Sequence, residues 1–197
     1  MRFELDELQL DAAETIRKIV LEDDVFDRLD EFGAFDPSLV VVTFQELGSA
    51  GVAVPEDRYG DQPALAAAAQ LLGLGHRMLV MTVGYVKERT QFGVPVGSFQ
   101  AVKHQLADCL KEMAFARPVV WRAAATLAPV DISMAKAMAS DAASFTARRA
   151  LQCHGAIGYT VEYELAASLK QTWVLARSFG DAAHHRELIA KELQISG

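Results

Sequence analysis

The stretch that most limits what this chain can become is Pro63 to Arg89, a run of small and aliphatic residues with no interior proline and apolar on more than one face. A helix that is apolar all round must be enclosed by other elements, so this segment predicts the centre of a helical bundle. It leads into Phe92-Gly-Val-Pro-Val-Gly97, after which Ser98 starts a second helical run to about Leu127. Glycine and proline cannot continue either helix. Tyr85 to Gln100 is therefore an ordered corner between two long helices, and its polar groups are the first functional candidates.

The remaining segments support the same architecture. Leu8, Ala12, Ile16, Ile19 and Val20 recur at helical spacing within Leu5 to Leu21, and Val25–Phe32 and Pro37–Leu47 predict two shorter helices punctuated by Gly33 and Gly48. After the irregular Gly51–Gly60 connection, Gly60 marks a boundary between a short helical N-terminal part, residues 1–60, and a bundle of four or five helices, residues 61–197. In the bundle, Val102, Leu106, Leu110, Met113 and Val120 form one stripe, and Pro118 is expected to kink or divide their helix. Pro129 reads as a stop and Asp131 as a new N-cap. Helices over Ile132–His154, Glu162–Ser178 and Asp181–Leu193 follow, with Asp181 as N-cap of the last. No stretch alternates at period two, so the fold class is all-α.

Composition excludes several functions. The net charge of −7, with no basic block, argues against nucleic acid or an anionic membrane as partner. The apolar run Ala64–Gly75, broken by Gln70, is shorter than the about 20 residues of a membrane span, and the acidic N-terminus does not read as a signal peptide. Cys109 and Cys153 have no metal or redox spacing and predict free thiols in a cytoplasmic protein. His184 and His185 lack metal-site spacing and read as two solvated helix residues; no metal is expected.

Three signatures then coincide: Arg89-Thr-Gln-Phe-Gly93 followed by Gln100, Gln152-Cys-His-Gly-Ala-Ile-Gly-Tyr-Thr-Val-Glu162, and Gly51-Val-Ala-Val-Pro-Glu-Asp-Arg-Tyr-Gly60. Together they resemble the flavin-dependent acyl-CoA dehydrogenases, and the chain from Pro63 to Ala190 resembles the C-terminal helical bundle of that family. The resemblance implies FAD as cofactor. Arg89 matches the arginine that pairs with the pyrophosphate, Gln91 an adjacent polar contact, Phe92 the aromatic beside the adenine half, and Gln100 a further contact to the ADP portion. Gln152, Gly155 and Ala156 match the segment lying along the same part of the cofactor, where the family usually has a second glycine in place of Ala156. Residue chemistry agrees for Arg89, since a permanently charged guanidinium grips phosphate oxygens in a fork.

Two departures shape the functional expectation. Members of the family carry a β-barrel domain between the Val-Pro-Glu loop and the bundle, whereas here Asp61 and Gln62 alone separate Gly60 from Pro63. The glutamate expected to accept the Cα proton is replaced by Phe179, which cannot accept one. Some branches carry the base near the start of the first bundle helix, but Asp61 is displaced from that position and reads as an N-cap. The resemblance thus implies an acyl-CoA-acting assembly in which this chain shares FAD with a full-length acyl-CoA dehydrogenase subunit or another copy of itself. The alternatives are a helical oligomerisation module that has lost cofactor binding, or an internally deleted product.

Overall fold

The computed structural model describes residues 7–22, 24–32, 34, 39–60, 62–160 and 163–194. The expectations placed on Gly33, Pro37, Asp61 and Glu162, and on the side chain of Leu8, lie outside the described residues. Among the described residues there are eight α-helices: α1 Glu7–Ile19, α2 Val25–Phe32, α3 Val40–Ala50, α4 Pro63–Glu88, α5 Gln100–Thr126, α6 Pro129–His154, α7 Glu164–Leu175 and α8 Ala182–Glu192. The expected all-α fold is what forms. Among the described residues the only strands are β1 Thr90–Gln91 and β2 Val94–Pro95, and no barrel stands between Gly60 and α4.

α4 is the centre that its composition demanded, packing against α3, α5, α6 and α7. Ala66 to Ala69, Leu65, Leu71 and Leu74 are fully buried. By length and composition this helix could cross a bilayer, because Gln70, His76 and Arg77 dilute its hydropathy too little to prevent it. The bundle instead covers 67% of its most apolar window. Its crossing with α3 is close because Gly48 and Gly73 face each other: a Cβ on Gly73 would lie 2.1 Å from the Gln45 carbonyl, and one on Gly48 2.2 Å from that of Gln70.

Three local expectations are corrected, and the one on Pro118 is narrowed. The buried row of α5 is Cys109, Met113, Ala116, Val120 and Ala123, so Leu110, about 100° further round a helix than Cys109, faces water. Pro118 sits inside α5 without dividing it. Pro129 does not stop a helix but opens α6, where a proline's missing donor costs nothing. Asp131 is consequently inside α6 and buried, with its oxygens accepting from Arg122 Nε at 3.0 Å and Thr126 Oγ1 at 2.7 Å.

Candidate functional site

The corner after α4 is a small hairpin. Arg89 is the C-cap of α4, its backbone N–H donating to Tyr85 O. Thr90 pairs with Pro95 and Gln91 with Val94, while Phe92 (φ 54°) and Gly93 (φ 80°) make the two-residue turn. Left-handed conformation at both turn positions is what a right-twisted hairpin needs, though a phenylalanine pays strain to adopt it. The result presents the Phe92 ring at 92% exposure, edge-on to Phe99 with centroids 6.3 Å apart. Gln100 is the first residue of α5, and Arg89, Gln91 and Gln100 are all exposed. Arg89 makes no ion pair among the described residues.

The second predicted segment is the end of α6. Gly155 (φ 63°) terminates the helix and starts a 3-10 turn, Gly155–Tyr159, leaving Gln152, Gly155 and Ala156 exposed. His154 joins this turn to the first corner. Its ring stacks on Tyr85 at 4.4 Å and lies 5.3 Å from Tyr163, and the Tyr85 hydroxyl donates to the His154 carbonyl at 3.4 Å. Burial pushes the imidazole pKa down, and Nδ1–H donates to Ala150 O at 2.8 Å. His154 is thus a neutral spacer that orients the turn. The stack joins the two segments by Tyr85, four residues before Arg89, and His154, between Gln152 and Gly155, at the far end of α4 from Gln70.

Phe179 lies at the other end. It has φ 57° and directs its ring inward, 4.8 Å from Tyr59, which is itself 5.0 Å from Phe44. Beside it is a cleft of about 450 Å³ lined by Val54, Tyr59, Val174 and Leu175, with Glu56 and Lys170 also in the lining. Glu56 is exposed.

Sequence reasoning missed what holds Phe179 in place. Lys136 is completely buried in α6, its Nζ donating to Ser140 Oγ at 3.1 Å, Ala176 O at 3.1 Å and Gly180 O at 3.0 Å. Burial pushes this lysine down to about 8. His185, expected to be solvated, is buried as well; Nε2–H donates to Phe179 O at 3.0 Å, and Nδ1 accepts from Ser133 Oγ at 3.2 Å. The available signal for Lys136 was a lone charge within Met134-Ala-Lys-Ala-Met138, on a helix otherwise built for close packing. His184 is exposed as expected, and Asp181 caps α8 by accepting from the His184 N–H at 2.8 Å.

The family model for the acyl-CoA dehydrogenase C-terminal domain matches residues 61–194. The chain belongs to the acyl-CoA dehydrogenase family. Acyl-CoA dehydrogenase IpdE2 of Mycolicibacterium smegmatis is 40% identical over 120 residues, covering 61% of this chain and 39% of that protein. Among solved structures, a glutaryl-coenzyme A dehydrogenase in complex with glutaryl-CoA superposes with TM-score 0.65 at 28% identity, over 79% of this chain and 38% of the other. The FAD complex of PigA superposes with TM-score 0.62 at 28% identity, over 66% of this chain and 35% of that one. The chain thus spans less than two fifths of the length of each of these proteins.

Proposed function

We propose that this chain is a subunit of an FAD-dependent acyl-CoA dehydrogenase, holding the ADP half of the cofactor and offering an oligomer surface while another subunit supplies the catalytic base. The observation that carries this reading is the Tyr85–His154 stack, which gathers Arg89, Gln91, Phe92 and Gln100 with Gln152, Gly155 and Ala156 at one end of the bundle. These residues suit that half of FAD. An unpaired guanidinium fits a pyrophosphate, side-chain amides fit ribose and phosphate oxygens, and a ring held in water by a strained backbone fits a planar base.

When bound, FAD supplies the acceptor for hydride from the acyl Cβ. This chain's contribution is binding and orientation, since Phe179 packs on Tyr59 and offers no proton acceptor. The partner is a full-length acyl-CoA dehydrogenase subunit or a second copy, the substrate an acyl-CoA thioester, and the setting the cytoplasm, where Cys109 and Cys153 stay as free thiols. Residues 61–197 form the bundle unit of this assembly and residues 1–60 its short helical companion.

Co-expression with a candidate full-length subunit, followed by flavin absorbance of the purified complex, tests this reading. A yellow complex active on acyl-CoA is expected, with the isolated chain inactive. A stable complex that carries no flavin would favour an oligomerisation module that has lost cofactor binding.

A further inference from the structure

We propose that the groove bordered by α1, α3, α4 and α5 binds an amphiphilic anion, a carboxylate or phosphate head on an aliphatic tail. The groove holds about 620 Å³, and its lining shares no residue with the cofactor corner or the Phe179 cleft. Three helices each contribute an arginine to its lining: Arg17 from α1, Arg77 from α4 and Arg117 from α5. Glu46 is the one carboxylate in the lining, and both its oxygens are taken by Arg17, at 2.9 and 2.8 Å. Arg77 reaches Ser49 O at 3.5 Å and Glu164 at 3.2 Å, while its Nε is shut from water without an acceptor. Arg117 makes no ion pair among the described residues, so it is an exposed charge that the fold does not use.

With Arg17 paired to Glu46 and Arg77 to Glu164, Arg117 is the one arginine of the lining left unbalanced, in a chain of net charge −7. The apolar part of the lining is equally unsatisfied: Leu21 is 84% and Val80 55% exposed. Apolar surface beside the unpaired Arg117 guanidinium matches a ligand with both characters. At ~30 Å³ for each water-sized group the groove accommodates a head and a medium-length tail, far more than a bare inorganic anion fills.

The test is calorimetric titration of the full chain with octanoate, against octanol, which lacks the charge, and inorganic phosphate, which lacks the tail. Octanoate should bind saturably, with octanol and phosphate each weaker by at least about tenfold, the scale of one charge-assisted contact. Arg117→Gln should weaken octanoate by about tenfold, and Val80→Glu should weaken it similarly, because each removes one of the two required characters. Both residues are exposed, so unchanged melting would show that neither variant acts through folding. Octanoate binding no tighter than octanol, or unaffected by Arg117→Gln, overturns the proposal and would point to another apolar cleft. Binding to phosphatidylglycerol vesicles without binding of free octanoate also overturns it, by assigning the charge to a lipid surface.

Discussion

Among the described residues two phenylalanines hold left-handed backbone conformations, and they are used in opposite ways. Phe92, at φ 54°, turns its ring into water beside exposed Arg89, Gln91 and Gln100. Phe179, at φ 57°, turns its ring onto Tyr59, and the carbonyls around it are taken up by Lys136 and His185. Such conformations cost about 1–3 kcal/mol each, and the rest of the structure must hold them. At the first site Arg89 makes no ion pair among the described residues and Gln91 Nε2 donates only to the adjacent Thr90 O, at 2.9 Å; at the second the carbonyls are satisfied from other helices. The first arrangement suits the recognition proposed above, and the second suits support.

Four substitutions probe this contrast, in descending order of expected effect. Gly73→Ala would drive a methyl to 2.1 Å from the Gln45 carbonyl where α3 crosses α4. Neither backbone can yield, so stability should fall by about 3 kcal/mol or more in thermal unfolding. Damage at that crossing should disturb the Phe179 end before the hairpin corner, which hydrogen exchange on the two segments would separate.

Lys136 gives a pH-dependent form of the comparison. Its pKa falls from 10.5 in the unfolded chain to about 8 in the fold, so between those values the unfolded state binds more protons. Stability contributed at this site therefore rises as pH increases from about 8 to 10.5, by up to about 3 kcal/mol, and is constant below 8. Lys136→Met should flatten that rise relative to the parent while leaving the Ala176 and Gly180 carbonyls without their donor. Denaturant titrations of the two proteins across the window measure the difference.

Phe179→Ala should cost about 2 kcal/mol, less than a fully buried phenylalanine because the ring also borders the cleft. Flavin content of the assembled complex should not change. Tyr85→Phe removes one long hydrogen bond and keeps the stack, so its effect on stability should stay within about 0.5 kcal/mol. A larger loss would mean that the two cofactor segments are held together by that hydroxyl and not by ring packing.

Much of this contrast was legible in the sequence, for identifiable reasons. Pro63 to Glu88 announced a buried helix because its apolar residues cover several faces, and Gly155 announced the end of α6 because φ 63° suits only glycine easily. Phe92, Arg89 and Gln152 could be assigned to one site only through resemblance, because the spacing of two corners in the chain does not say that a Tyr85–His154 stack will bring them together. The hairpin itself was missed, since β1 and β2 are too short to show alternation. Lys136 and His185 escaped for the same underlying reason: each donates to backbone carbonyls, and a carbonyl leaves no mark on residue type. Pro129 misled because a proline both ends helices and begins them.

The central claim is that the hairpin end binds the ADP half of FAD in an assembled enzyme. Equilibrium FAD binding by the complex of this chain with a full-length partner, comparing the parent with Arg89→Ala, measures it most directly. Arg89 is exposed and unpaired, so the substitution should leave melting of the FAD-free complex unchanged while weakening FAD by about 1.5–3 kcal/mol, roughly tenfold to one hundred and fiftyfold. Equal FAD affinity in the two complexes, at equal stability, would contradict the account.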